Sequence, residues 1–277
     1  MLTQLEPLKR HQDVKLPRSK GTGLWLLNLE SFIEWQNSNS NTIEKNGYVF
    51  CCYGIPGAGK TVIRYIAKCS ITYYLVTNLD VYHDSSVVID DLRLKSPYVG
   101  VACLYADYKD QANQTLAPIL GTFLRQLIAT VWEFIPDEVI QKLHKIQREG
   151  GKVGDKDNLA LLEILLQQHQ LRRAFICIDA VDELEPMVRR QLLNALRELG
   201  TRCRNIRLFL TGRDHVESEV QKCFQVTKRY SVVISANEQD IKTFVGQQIL
   251  DDPYPDAMDE FLEKDMTDTI IKKSQGM

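Results

Sequence analysis

Apolar residues along the chain cluster into short runs, with amphipathic stretches between them. GYVFCCYG (47–54) is an apolar run closed by glycine and predicts a strand buried on both faces. YVGVACLYAD (98–107), RRAFICID (172–179), NIRLFLTG (205–212) and KRYSVVIS (228–235) read in the same way. The stretches between them follow the helical period. Behind Lys60, the residues Val62, Ile66, Cys69 and Tyr73 are spaced four, three and four apart, which is one helical face. TLAPILGTFLRQLIATVWEF (115–134) predicts a long apolar helix and DEVIQKLHKIQREG (137–150) a more polar one. GKVGDKD is a loop, followed by a helix over NLALLEILLQQHQ (158–170). PMVRRQLLNALRELG (186–200) places proline near a helix start and glycine at its end. HVESEVQKCF, NEQDIKTFVGQQIL and DAMDEFLEKDMTDTIIKKSQ complete the helices. Ahead of the first strand, WLLNLESFIEWQ (25–36) predicts a short amphipathic helix. Strands alternating with helices predict an α/β fold, three layers α/β/α around a mainly parallel five-stranded sheet. The divisions are an N-terminal arm and lead-in helix over 1–46, a core over 47–250 and the start of a helical region over 251–277.

Composition narrows the function classes. The chain has 277 residues, 25% charged, with a net charge of −2. No general field draws it onto nucleic acid or an anionic membrane, so neither is expected as a partner. The seven cysteines lack CxxC or His-linked metal spacing and read as small buried hydrophobes of a reducing compartment. The polar N-terminus is unlike a signal peptide, and no apolar run approaches the ~20 residues of a membrane helix. The expected location is cytoplasmic.

One motif carries specific chemistry. Gly54-Ile55-Pro56-Gly57-Ala58-Gly59-Lys60-Thr61 fits G-x-x-x-x-G-K-[ST] without a gap, and Val62 continues it into the helix. Glycines let backbone N–H groups close around a phosphate, and the helix that follows adds the positive end of its dipole. Lys60 supplies a cation for the β- and γ-phosphates, and the Thr61 hydroxyl a ligand for Mg²⁺. The implied cofactor is ATP or GTP with Mg²⁺. A second strand end supplies the partner carboxylate: Asp179 closes FICID as the metal-binding aspartate, and Asp182 and Glu183 follow. Either of those two can orient or deprotonate an attacking water. The next strand ends Leu210-Thr211-Gly212-Arg213. Thr211 and Arg213 are positioned as γ-phosphate sensors, or Arg213 is a solvated surface arginine.

Together these residues resemble the NACHT-type domain of the STAND NTPases, in the fungal receptor-like branch called nephrocystin-3-like. Gly21-Thr-Gly-Leu-Trp25 with Phe32 and Trp35 is similar to that branch's lead-in. GIPGAGKT, VACLYADYKDQANQTLAPILGTFLRQL (101–127), IDAVDEL (178–184) and ISANEQDIKTFV (234–245) follow in order. The resemblance implies a slow nucleoside triphosphatase acting as a signalling switch, closed with diphosphate and opening on exchange to form a homo-oligomer. It places the segment near Arg18 to Trp25 beside the nucleotide base. It also implies an N-terminal effector module and C-terminal repeats in the full architecture, missing from this core. The family's T-S-R-P is here Thr211-Gly212-Arg213-Asp214, which sets an anion beside the arginine.

A further departure lies behind the phosphate loop. The family runs from the lysine straight into one helix. Here YIAKCSITYYLVTNLDVYHDS (65–85) intervenes, and its removal restores TVIR-SVVIDDL. The 21 residues correspond to 63 nucleotides, a length that suits a retained or mispredicted intron; the other reading is a genuine insertion. The expected function is therefore a nucleotide-binding signalling core. The alternatives are an inactive truncated fragment and a P-loop small-molecule kinase.

Overall fold

The structure, a computed structural model, describes Leu5 and residues 24–37, 47–54, 99–131, 135–234, 238–250 and 260–275. Five strands, β1 (Val49–Tyr53), β2 (Val99–Tyr105), β3 (Arg173–Asp179), β4 (Ile206–Gly212) and β5 (Ser231–Val233), form one sheet in the order β2-β3-β4-β1-β5. Every pairing is parallel. The helices are α1 (Glu30–Asn37), α2 (Leu116–Thr130), α3 (Asp137–Arg148), α4 (Asp155–Leu166), α5 (Pro186–Arg202), α6 (Glu217–Phe224), α7 (Glu238–Leu250) and α8 (Glu260–Gln275). The α/β class and the parallel sheet are as the pattern predicts.

Strand residues alternate between two cores. Val49, Cys51, Tyr53, Ala174, Ile176, Ile178, Leu208 and Leu210 join one core with the apolar faces of α2, α4, α5 and α6. Phe50, Cys52, Phe175, Cys177 and Phe209 face the other way, into a cluster with Leu26, Phe32 and Trp35. There Phe32 meets Phe50 edge-on with ring centroids 5.3 Å apart, and the Trp35 ring lies 5.6 Å from both Phe50 and Phe175. Such pairs add about 0.5–1.5 kcal/mol each to the area they bury. Trp35 Nε1 donates to the Tyr48 carbonyl at 3.1 Å. The Arg173 guanidinium donates to the carbonyls of Gln36 and Asn37, satisfying the end of α1. The lead-in is thus a lid over one sheet face.

Strand β2 lies at the sheet edge, yet its outward backbone groups are used. Gln126 of α2 accepts from Cys103 N at 3.1 Å and donates to Cys103 O at 2.8 Å. Gln114 donates to Tyr105 O at 3.2 Å and accepts from Asp107 N at 3.1 Å. Among the described residues, two glutamines thus take the place of a neighbouring strand at this edge.

The structure departs from the pattern in several places. The stretch 25–36 is a short 3-10 turn, Leu24–Leu26, followed by α1. A continuous helix would set Leu26 and Phe32 about 120° apart around its axis at ~100° per residue, whereas the break lets both reach the same cluster. Helix α4 begins at Asp155, inside the predicted loop, with Asp155 and Asp157 in its first turn where the dipole favours them. In place of one strand over 228–235, a 3-10 turn (Lys228–Tyr230) precedes the three-residue β5. Gly200 does not end its helix, since α5 runs to Arg202 and Cys203 closes it in extended conformation. Glycine is required there for a packing reason: a Cβ would lie 2.2 Å from the Tyr48 ring.

The cysteines behave as buried hydrophobes. Cys51, Cys52, Cys103, Cys177 and Cys203 are buried and free, and Cys223 is half-buried. Cys69 lies outside the described residues. No described helix is long and apolar enough to cross a membrane.

Candidate functional site

The carboxyl ends of β1, β3 and β4 converge because the sheet is parallel and its registers align. Tyr53 pairs with Gly212, and Ile178 with Leu210. Gly54, where the phosphate-loop motif begins, donates its N–H to the Gly212 carbonyl at 3.3 Å. The motif therefore leaves the sheet beside Thr211, Gly212 and Arg213. Ile55, Pro56, Gly57, Ala58, Gly59, Lys60, Thr61 and Val62 lie outside the described residues, as does the whole of 65–85.

Asp179 closes β3 and is buried. The buried Thr211 hydroxyl donates to Asp179 Oδ1 at 2.5 Å and accepts from Ala180 N at 3.0 Å. One hydroxyl thus fixes both the carboxylate and the backbone that turns away from it. Ala180 takes the left-handed conformation, φ 53° and ψ 49°, at a cost of about 1–2 kcal/mol for a residue with a Cβ. The bond from Ala180 N to the Thr211 hydroxyl and the one from Glu183 N to Ala180 O, 2.8 Å, hold it there. The result is a tight turn, Val181–Glu183, that folds the acidic residues back over the strand ends.

Asp182 and Arg213 are brought together. Arg213 N donates to Asp182 Oδ1 at 3.1 Å, and Arg213 Nε meets Oδ2 at 3.1 Å. The anion paired with the arginine is therefore Asp182 across the sheet. Asp214 instead opens the short 3-10 turn Asp214–Val216. Gly212 permits this approach, since a Cβ there would lie 2.9 Å from Val216 Cγ2 and 3.1 Å from Val181 Cγ1. Small size is thus needed at this position.

Glu183 has a different setting. Its Oε2 accepts from Tyr108 N at 3.3 Å, and Gln111 Nε2 donates to its carbonyl at 2.8 Å. Partial burial raises the carboxyl above its ordinary range. The Tyr108 N–H opposes that rise, and the charges of Asp182, Asp107 and Asp179 add to it. A carboxylate loosened from its proton-free state and held by one backbone N–H suits proton acceptance.

Three contributors escape the sequence reading. Arg189 of α5 forms an ion pair with Glu219 of α6 at 2.8 Å and reaches the carbonyls of Asp182 and Leu184, each at 3.4 Å. Tyr108 and Gln111, from the segment after β2, secure Glu183. These are tertiary contacts 5–75 residues apart, and no local motif marks them.

The donor chemistry at the β3 end fits Mg²⁺, which takes hard oxygen ligands and keeps most of its shell as water and phosphate. Among the described residues, Asp179 is the carboxylate that would meet such an ion, and the Thr61 hydroxyl lies outside the described residues. Among the described residues, no group of three or more His, Cys, Asp or Glu forms a self-sufficient metal site.

Comparison with known proteins gives a family and several similar folds. The model of the family described as "Nephrocystin 3, N-terminal" matches residues 21–73 and 83–213. The match ends at Arg213 and is interrupted over 74–82, within the intervening stretch 65–85. No curated protein matches the sequence. Among solved structures, the chain is similar to Cdc6p from Pyrobaculum aerophilum, at 13% identity and a TM-score of 0.47, with 90% of this chain and 51% of that one covered. It is also similar to a Walker-type ATPase of Pyrococcus abyssi, at 10% identity and a TM-score of 0.43, over 81% of this chain and 57% of that one. The ORC1 protein of Aeropyrum pernix, in complex with DNA, gives 14% identity and a TM-score of 0.41, over 74% and 46%. The chain spans about half the length of these structures.

Proposed function

Because the chain belongs to the family of nephrocystin 3 N-terminal domains, we propose that it is the nucleotide-binding core of a NACHT-type signalling switch. It binds ATP or GTP at the motif Gly54–Thr61, turns it over slowly, and couples exchange to conformational change and self-association. The observation that supports this reading is the junction of β1 and β4. The first residue of the phosphate motif is hydrogen-bonded to the strand end that carries Thr211 and Arg213, and those two hold Asp179 and Asp182.

Each residue has a distinct task in this reading. Backbone N–H groups of 55–61 cradle the phosphates, and Lys60 neutralises the β- and γ-oxygens. Asp179, fixed by Thr211, and the Thr61 hydroxyl would hold Mg²⁺. Bound Mg²⁺ would supply charge neutralisation between the β- and γ-phosphates. Glu183 orients a water and accepts its proton, aided by a carboxyl that burial has made more basic. Arg213 faces the terminal phosphate. Contacts to the base are assigned to the segment near Arg18 to Trp25, of which residues 18–23 lie outside the described residues.

Oligomerisation distinguishes the switch from a metabolic enzyme. Sedimentation of the purified chain with a non-hydrolysable triphosphate should show assemblies larger than those formed with diphosphate. Turnover that rises steeply with an added small-molecule acceptor, and no change in sedimentation, would instead identify a kinase.

A further inference from the structure

We propose that Asp182 is a positioning residue which aims Arg213 at the terminal phosphate of a bound nucleoside triphosphate and takes no proton itself. The proposal rests on the nucleotide-binding reading above and starts from how the carboxylate is used. Oδ1 accepts the Arg213 backbone N–H at 3.1 Å, and Oδ2 faces Arg213 Nε at 3.1 Å. Both oxygens thus bind the same residue, one fixing its backbone and the other its side chain. A proton taken up by Asp182 would cancel that ion pair.

The exposures divide the pair into a buried holder and an open tool. The Asp182 side chain is 4% exposed, and that of Arg213 is 47% exposed. A guanidinium presents its donors in a rigid planar fork. Asp182 takes the Nε position. Among the described residues, Nη1 and Nη2 make no hydrogen bond or ion pair with another residue, and the half-exposed side chain can offer this outer fork to an anion. Arginine gripped at Nε and at its own backbone retains little rotational freedom, so less ordering is needed when phosphate arrives.

Two neighbouring features support this role. Gly212, which precedes Arg213, accepts the N–H of Gly54, so the arginine stands next to the start of the phosphate loop. A Cβ on Gly212 would come within 3.4 Å of Asp182 Oδ1 and crowd Val181 and Val216, so the clasp depends on a bare backbone at that position. Arg189 adds support from behind, through its contacts to the Asp182 and Leu184 carbonyls and its ion pair with Glu219. Glu183, bonded to the Tyr108 N–H on the β2 side of the turn, has no part in the clasp and is left for the water.

The test is the preference for triphosphate over diphosphate, measured by titration calorimetry with a non-hydrolysable triphosphate analogue and the matching diphosphate. The proteins are the wild-type chain, Asp182→Asn, Arg213→Gln, the double variant and Arg213→Lys. Loss of a charge-assisted contact should lower the preference about tenfold or more in each single variant, with diphosphate affinity within about twofold of wild type. The double variant should match Arg213→Gln alone, because both changes act through one contact. Arg213→Lys should lose the preference as well, since lysine keeps the charge but not the fork. Arg213→Lys is an exposed change and reports even if Asp182→Asn fails to fold. An undiminished preference in Asp182→Asn, multiplied losses in the double variant, or full preference in Arg213→Lys would each overturn the proposal. Failure of the wild-type chain to bind either nucleotide would overturn the nucleotide reading together with it. Diphosphate binding with an intact preference in Asp182→Asn overturns this proposal alone.

Discussion

Thr211→Val removes one oxygen atom from the centre of the site and almost nothing else. The side chain is buried and β-branched, and valine keeps its shape. Two bonds are lost. The donation to Asp179 Oδ1, 2.5 Å long, is to a carboxylate and belongs to the class worth about 1.5–3 kcal/mol. The bond from Ala180 N, 3.0 Å, is half-buried, so its loss belongs at the low end of the ~1–3 kcal/mol for an unpaired donor. The expected destabilisation is about 3 kcal/mol. With a denaturant slope of about 3 kcal/mol per molar, that lowers the urea midpoint by about 1 M. Thr211→Ser keeps the hydroxyl and should lose less than about 1 kcal/mol, chiefly for the missing methyl. A functional consequence should accompany the loss of stability. Asp179 loses the partner that sets its direction, so nucleotide binding by Thr211→Val should need more Mg²⁺ than wild type. Urea unfolding followed by circular dichroism, with a Mg²⁺ titration of nucleotide affinity, measures both. A Thr211→Val midpoint within about 0.2 M of wild type, together with an unchanged Mg²⁺ requirement, would refute the argument.

Other perturbations test other parts of the account. Glu183→Gln should abolish turnover while leaving nucleotide bound. It should also stabilise the chain at neutral pH: the raised carboxyl makes wild-type stability fall as pH climbs from about the ordinary 4.5 through the folded value, and the variant should show no such fall. Unfolding curves across that range check the sign. Gln126→Leu strands the Cys103 N–H and carbonyl at the buried sheet edge and should cost about 2–4 kcal/mol, with faster hydrogen exchange at the Cys103 amide. Gly200→Ala should destabilise by about 1–3 kcal/mol despite alanine's better helix propensity, because its Cβ meets the Tyr48 ring; a gain in the urea midpoint would contradict that packing argument.

Much of the fold is legible in the chain because its signals are local. Apolar runs such as FICID stand out from amphipathic stretches, and Pro186 marks the start of α5, where Glu185 caps Met187 N and Val188 N. The carboxyl-terminal positions of Asp179 and Arg213 follow from knowing where strands end. Non-local signals are less readable. The sequence places Asp214 next to Arg213, but only the β3–β4 pairing reveals Asp182 as its partner, 31 residues away. Gly200 has the position of a helix stop and in fact makes room for Tyr48, a ring that arrives from before β1. Leu26 and Phe32 suit one helix by composition, yet the second core needs both on one side. Arg189 and Gln126 look like ordinary helix-surface polar residues until their distant backbone partners are known.

The central claim is that the junction of β1, β3 and β4 serves a bound nucleotide. Its most direct test is the nucleotide content of the purified chain, released by denaturation and separated by chromatography, beside Lys60→Ala and a version lacking 65–85. The account predicts near-stoichiometric diphosphate in the wild-type and shortened chains and little in Lys60→Ala, because the cation on the β- and γ-phosphates is gone. Folded wild-type and shortened chains that neither retain nor bind nucleotide would contradict it, and an inactive remnant of the family would then be the better description.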